Sequence, residues 1–404
     1  MRLCFFNRSY WPDLGATGQL LTELAEDLVA HHGCEVTVVS GYPLRRENGL
    51  PRRGVRNGVE IVRAAGTTFD PQRFSGRASN YLTYFFSASL AGLGVRRPDV
   101  VVALTDPPII GLAALLTARR SRARFVFLCQ DVFPEVATLL EDFQSPAVNS
   151  ALDRMNRFLL RRADAIIAIG GTMKQRLVDG KGADPQKISV IHNWADCAAV
   201  VPGPRDNSFA RAHGLHHAFV VMHAGNIGLS QHLDILLLAA ERLRAYDDIR
   251  FVIVGDGSRR AALEQLARAR ALSNVVFLPY QPREDMARSY ASADVFVVSL
   301  KPGLAGYIVP SKLYGILAAG RPYVAAVEDA CEVAEITREY ECGFLVPPGD
   351  AAALASRILD VYRDRSLATR LGERARVAGL AYDRHRQVAA YASLFHRVAG
   401  PEAG

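Results

Sequence analysis

Val309–Pro322 reads VPSKLYGILAAGRP. Leu313, Ile316, Leu317 and Ala318 recur at helical spacing, which predicts a short buried helix. Pro310 stands in its first turn and Gly320 just past its last, the usual start and stop residues. A first turn carries backbone N–H groups without intrahelical partners and the positive end of the helix dipole, and together these favour an anion. Ser311 adds a hydroxyl donor and Lys312 a full positive charge. Only five lysines occur among 48 basic residues, so one held at a helix start carries weight. The plainer account is a capped core helix with a solvated lysine.

Strands and helices alternate on either side of this stretch. Phe219–His223 is a strand, Gly225-Asn226-Ile227-Gly228 a loop and Leu233–Arg244 a helix. Phe251–Val254 is a strand ending in Gly255-Asp256-Gly257, and strands at Val275–Leu278, Val295–Ser299, Tyr323–Ala326 and Phe344–Val346 follow. The first half has the same grammar. Arg2–Phe6, Glu35–Ser40, Val59–Arg63, Asp99–Leu104, Arg124–Cys129, Ala165–Ile169 and Ile188–Ile191 read as strands with helices between them. Pro43–Gly58 reads as a basic loop. Val200–Gly214, rich in Pro, Gly and polar residues, reads as a linker. At 404 residues two domains are expected. The fold class is therefore α/β, with two doubly wound domains over 1–200 and 201–383.

Half the residues are hydrophobic and 22% charged, a globular composition. The six cysteines are scattered without CxxC spacing, so neither a zinc site nor a disulfide framework is indicated and a reducing cytoplasm fits best. No signal-like or membrane-spanning run is seen. The net charge of +7 is unevenly placed: 14 arginines and five acids fall between Arg45 and Arg124. The arginine pairs Arg45-Arg46, Arg52-Arg53, Arg96-Arg97 and Arg119-Arg120 punctuate this region, which is either a solvated face or a surface for anionic lipid or phosphorylated substrate. No nucleic-acid motif is present. Tyr81–Gly94 is apolar on nearly all sides, and a buried helix is favoured there over one that dips into a membrane interface.

Several loops carry residues suited to a ligand. Asn226, Gly228 and Gln231 follow the second domain's first strand, where amides and bare backbone suit anionic oxygens. Gly255 and Gly257 end a second strand of the same sheet, although a simple turn explains such a tripeptide equally well. In the first half, Gly15 and Gly18 lie in a loop that lacks the GxGxxG fingerprint. Asp131 and Glu135 lie four apart after a strand. On a shared helix face they would orient or deprotonate an acceptor hydroxyl; as a helix cap and a dipole-friendly acid they would be structural. There is no DxD, HExxH or GxSxG, so neither metal-dependent chemistry nor a serine nucleophile is indicated.

Taken in order, QDVFPE at 130–135, ISVIHNWAD at 188–196, HAGNIGLSQHLD at 223–234, FVIVGDG at 251–257, NVVFLPY at 274–280 and the 309–322 stretch resemble glycosyltransferase family 4, in its bacterial polysaccharide branch. The resemblance implies a GT-B fold, two Rossmann-like domains facing each other across a cleft, with the last helix, 384–398, returning to the first. It implies an enzyme that is retaining and metal-independent. The donor would be a nucleotide-diphosphate sugar, of UDP type by preference, and the acceptor a glycan or a polyprenyl-linked lipid. No cofactor and no nucleic acid would take part, and the enzyme would work in the cytoplasm, peripherally on an anionic membrane surface. By the same resemblance Gly15, Gly18, Asn226, Gly228, Gln231, Ser311 and Lys312 would surround the diphosphate. Gly255, Gly257, Pro279 and Tyr280 would meet the nucleoside. Lys312, Asp131 and Glu135 would be the catalytic set. The family's two glutamates around this helix are missing: Gly315 occupies one position, and Glu328, Asp329 or Glu332 is left to contact the ribose, with Glu332 preferred. A non-catalytic nucleotide-sugar-binding protein and a nucleotide-sugar 2-epimerase of the same fold are the alternatives.

Overall fold

A computed structural model describes residues 1–13, 15–43, 50–70, 74–140 and 145–400. Arg45-Arg46 of the basic region lies outside the described residues. The chain divides into two compact units. The first holds residues 1–192, a short piece at Gly306–Ile308, and the carboxyl-terminal residues from His385; the second holds Asn193–Ala305 and Val309–Arg384.

In the first unit, β1 (Arg2–Phe6), β2 (Glu35–Ser40), β3 (Arg53–Arg56), β4 (Val59–Arg63), β5 (Val100–Ala103), β6 (Arg124–Cys129), β7 (Ala165–Ala168) and β8 (Ile188–Val190) form one sheet. Its order is β3-β4-β2-β1-β5-β6-β7-β8. Every pairing is parallel except β3 with β4. The central strands are apolar throughout because helices cover both faces; Val100–Ala103 is fully buried. The edge strand β3 lies inside the stretch read as a basic loop. Its sequence, RGVR, alternates charge with small or apolar residues and is only half-buried, so it lacks the hydrophobic run that marks the other strands. The closing helix Arg384–Ala399 packs its Phe395 ring on Phe5 of β1, with centroids 6.0 Å apart.

In the second unit, β9 (Phe219–Ala224), β10 (Ile249–Val254), β11 (Val275–Leu278), β12 (Val295–Ser299), β13 (Tyr323–Ala326) and β14 (Gly343–Val346) form a parallel sheet of order β11-β10-β9-β12-β13-β14. Helices Asp234–Arg242 and Ala351–Arg363 bury Leu236, Leu237, Leu354 and Ile358 against it. Val200–Gly214 is more than a linker. Arg205 pairs with Asp294 at 2.6 Å and donates to the carbonyls of Leu215 and His216, and Asn207 caps a short helix, Ser208–Ala212. These charge-assisted bonds fasten the segment to the second unit, and the division falls at His192–Asn193 instead of near residue 200.

Candidate functional site

Parallel strands place their carboxyl ends on one edge, where open α/β sheets bind ligands. In the second unit β9, β10 and β11 are neighbours, so the loops after them lie side by side. Residues from Gly225 to Gln231 leave β9, Gly255-Asp256-Gly257 leaves β10, and Pro279-Tyr280 leaves β11.

The first two loops interlock through backbone. Gly225 N–H donates to Val254 O at 2.9 Å, and Ile227 N–H to Asp256 O at 2.9 Å. A Cβ on Gly255 would lie 1.9 Å from Gly225 O, and one on Gly257 would lie 2.3 Å from Ile227 O. Loop packing alone therefore demands both glycines. Asn226 is exposed beside them, and Gln231 folds back so that its Oε1 accepts from Gly228 N–H at 3.1 Å. Arg260, which sequence reasoning missed, donates to the carbonyls of Gly255 at 2.5 Å and Leu278 at 3.1 Å, tying the ends of β10 and β11 together.

Lys312 begins the helix Lys312–Ala318, with Ser311 at the N-cap making no side-chain cap. The helix is only seven residues long, and the N–H groups of Leu313 and Tyr314 already donate to Pro310 O and Ser311 O. The expectation of open first-turn amides is thus corrected: tight local bonds consume two of them. What remains is the lysine itself. Its Nζ lies 3.1 Å from Nε2 of His223, a fully buried residue of β9. Burial pushes His223 well below its ordinary pKa, followed by the repulsion of Lys312, so the ring is neutral. Burial also lowers the Lys312 ammonium to about 7. Part of the side chain still reaches solvent at the sheet edge, so a ligand can approach it. Among the described residues no carboxylate forms an ion pair with Lys312. A desolvated ammonium beside a neutral histidine gains from any anion that approaches it.

Gly315, one turn on, packs against Tyr290; a Cβ there would lie 2.8 Å from the ring's Cε2. The space a longer side chain would need is filled by a buried tyrosine. Glu328 accepts from the N–H groups of Gly303 at 3.0 Å and Ala305 at 3.3 Å, and Asp329 pairs with Arg338. Glu332 sits in the first turn of the helix Glu332–Tyr340 with 4% of its surface exposed, which leaves a ribose little to touch.

The first unit has a cavity of about 260 Å³ lined by Arg8, Ser9, Gly15, Gly18, Tyr81 and Asp131 among others. Gly15 is the N-cap of the helix Ala16–His32 and opens to free space, whereas Gly18 touches the chain at Ser9 and Tyr10. Arg8 follows β1 and Asp106 follows β5. They pair at 3.3 Å, and Ser9 Oγ donates to Asp106 at 2.6 Å. Asp131 follows β6, its N–H donating to Thr105 Oγ1 at 3.3 Å. Burial first, and the charge of Asp106 second, raise its carboxyl to about 7. Asp131 lines the cavity and keeps some exposure, so the proton it holds near neutrality is within reach of a ligand. The shared helix face expected for Asp131 and Glu135 does not form, because the helix Glu135–Leu139 starts only at Glu135. Glu135 instead accepts from Lys181 at 2.7 Å, and Lys181, buried, also bridges to Asp153 at 2.6 Å. Glu135 is thus part of an ion-pair network, while Arg8, Asp106 and Tyr81 join Asp131. The signal for Arg8 and Asp106 was their position directly after parallel strands.

A family model described as "Glycosyl transferase 4-like domain" matches residues 15–194, and one described as "Glycosyl transferases group 1" matches 207–378. The probable glycosyltransferase WbjE of Pseudomonas aeruginosa is 29% identical over 70% of this chain and 71% of its own. The putative colanic acid biosynthesis glycosyl transferase WcaI of Escherichia coli is 27% identical over 89% of this chain and 91% of its own. A GDP-mannose-dependent alpha-mannosyltransferase of Mycobacterium tuberculosis is 29% identical over 87% and 85%. Among solved structures, HepE of Anabaena in complex with UDP superposes with a TM-score of 0.74 at 17% identity, covering 98% of this chain and 99% of that one. The two matched models together span most of the sequence, and the chain belongs to the group 1, family 4-like glycosyltransferases of GT-B fold.

Proposed function

We propose that the protein transfers a sugar from a uridine-diphosphate donor to a glycan or polyprenyl-linked acceptor in cell-surface polysaccharide synthesis. Transfer retains anomeric configuration, uses no metal ion or other cofactor, and takes place in the cytoplasm at the inner face of the membrane. The family is one of transferases, so the non-catalytic and epimerase readings have no finding in their favour.

The observation that carries this reading is the half-buried Lys312 ammonium facing a neutral His223, with no carboxylate pairing it among the described residues. A diphosphate supplies the missing counter-charge. As the anomeric C–O bond to the diphosphate breaks, negative charge grows on the leaving oxygen, and Lys312 stabilises it. The acceptor oxygen bonds to the anomeric carbon on the same face, and its proton passes to the departing diphosphate oxygen. Asn226, Gln231 and Ser311 offer further polar groups to the phosphates. Gly255, Gly257, Pro279 and Tyr280 form a backbone shelf for the nucleoside. In the first unit, Asp131 positions the acceptor hydroxyl, supported by Arg8 and Asp106. The six cysteines, all buried and free, suit a reducing compartment.

A thermal-shift series with UDP, GDP and their sugars tests the donor. The matching ligand at about 100 times its Kd adds about 2.7 kcal/mol. Because one relative uses GDP-mannose, a larger shift with guanine nucleotides would overturn the uridine assignment. No shift with any of them would overturn the donor reading altogether.

A further inference from the structure

We infer that Tyr307 is a positioning residue for the acceptor side of the reaction: its backbone carbonyl fixes the peptide that presents Asp131. This role rests on the reading of Asp131 as the group that meets the acceptor hydroxyl.

Gly306–Ile308 lies in the loop between β12 and the helix Lys312–Ala318, yet it belongs to the first unit, whereas the residues just before and after it belong to the second. Three contacts inside the first unit account for this. Val132 N–H donates to Tyr307 O at 3.0 Å. The Arg176 guanidinium stands over the Tyr307 ring, 4.9 Å from its centroid. Gly306 has a φ of +77°, and a Cβ on it would lie 2.7 Å from Arg176 Cγ and 3.0 Å from Thr172 O. Thr172 and Arg176 belong to the helix Gly171–Lys181, which follows β7. The glycine is therefore demanded twice, by its backbone conformation and by its closeness to this helix. The loop is secured before this point as well, where Glu328 accepts from the N–H groups of Gly303 and Ala305.

The first of these contacts reaches the candidate site. Val132 is 1% exposed, and a buried N–H needs an acceptor. Tyr307 O supplies it. The peptide before is held too, since Asp131 N–H donates to Thr105 Oγ1. One bond fixes the backbone ahead of the Asp131 Cα and the other the backbone behind it, so together they set the direction of its carboxyl. Thr105 comes from the neighbouring strand β5, as sheet order alone would provide. The carbonyl of Tyr307 comes from far along the chain, out of the loop that leads to Lys312. Closing that loop requires no bond to Val132. Holding a reacting group in its productive direction does require such support, because a small misplacement costs rate.

The test compares Tyr307→Ala and Arg176→Ala, which remove the ring contact that seats the carbonyl, with Tyr307→Phe, which keeps it. Tyr307 is half-buried and Arg176 exposed, so neither change empties the core, and an unchanged melting temperature checks this. The first readouts need no ligand. Hydrogen exchange resolved to the Val132 amide should quicken about tenfold or more in both alanine variants and keep the wild-type rate in Tyr307→Phe. The Asp131 carboxyl, followed by NMR of labelled aspartate, should titrate about one pH unit lower in the alanine variants, because a loosened loop admits water and relieves the burial that raises it. The last readout is transfer from the UDP-sugar of largest thermal shift to lipid-linked glycans extracted from cell membranes. Tyr307→Ala should lower kcat about tenfold and leave the thermal shift with UDP unchanged. Added to Asp131→Asn it should cost less than about twofold more, since both act through one group. Wild-type exchange at Val132 in both alanine variants, an unmoved titration, or full additivity with Asp131→Asn would overturn the inference. Full transfer by both Tyr307→Ala and Asp131→Asn, with exchange and titration moved as expected, would instead remove Asp131 from the acceptor chemistry, and the role of Tyr307 would fall with that reading.

Discussion

Each half of the molecule keeps a desolvated ionisable group with a strongly shifted pKa at the carboxyl edge of its sheet, and the two are opposites. In the second unit it is Lys312, pushed down to about 7. In the first it is Asp131, pushed up to about 7. Burial is the first cause in both. The neighbours then diverge: Lys312 meets a neutral imidazole, whereas Asp131 feels another carboxylate, Asp106, whose own partners are Arg8 and Ser9. The same architecture thus holds an ammonium with a depressed pKa in one half and a carboxyl with a raised pKa in the other. Fold sets where the group stands, and a single residue choice sets its sign.

The largest effect expected from this contrast is on Lys312. Lys312→Ala should lower transfer about a hundredfold, as removal of one charge stabiliser typically does. The unliganded protein should melt no lower, since a desolvated charge is lost. Near-normal turnover would break the assignment. Asp131→Asn should be milder, about tenfold, because the leaving oxygen already takes the acceptor proton and an obligate base would be worth a hundredfold or more. If the loss matched that of Lys312→Ala, Asp131 would be the base itself.

Stability should depend on pH with opposite signs in the two halves. The folded pKa of Lys312 is depressed from 10.5, so its contribution rises as pH climbs from about 7 towards 10.5. The folded pKa of Asp131 is raised from 3.8, so its contribution is complete below that value and is lost as pH rises through about 7. Denaturant melts across this range should show each slope vanish in Lys312→Met and Asp131→Asn respectively. A slope that persists in its own variant would reassign it.

The smallest effects concern residues whose contacts are structural. Gly315→Ala should destabilise by about 1–3 kcal/mol through overpacking against Tyr290, while donor affinity in the folded fraction is kept. Glu135→Gln should cost about 1 kcal/mol by weakening the Lys181 bridge, with turnover unchanged. A large rate loss in Glu135→Gln would restore it to the catalytic set.

The strands were legible because both halves bury them on both faces, so Arg2–Phe6, Glu35–Ser40 and Val59–Arg63 stand as apolar runs between breakers. The edge strand β3 was not, since half-exposed RGVR carries no such run. The position of Lys312 was legible from its motif, but the state of its amides was not. That depends on whether Leu313 and Tyr314 close tight turns, which residue types do not dictate. His223 and Arg260 were invisible for a different reason. One is a polar residue inside a strand and the other a helix arginine among many, and only tertiary packing makes them neighbours of the site. Asp131 and Glu135 were read as a pair from spacing alone, and the late start of the helix at Glu135 separated them.

The contact between Gly315 and Tyr290 has a consequence for substitution. Any substitution at 315 that adds a carboxylate collides with a ring seated beside Phe296, at a centroid distance of 5.1 Å. The two positions are therefore expected to be energetically coupled. Tyr290 must shrink before a glutamate at 315 is tolerated, and shrinking it first opens a cavity in the second unit's core. Each single step is expected to lower stability, and melts of Gly315→Glu, Tyr290→Ala and the double variant would show whether the pair relieves the clash.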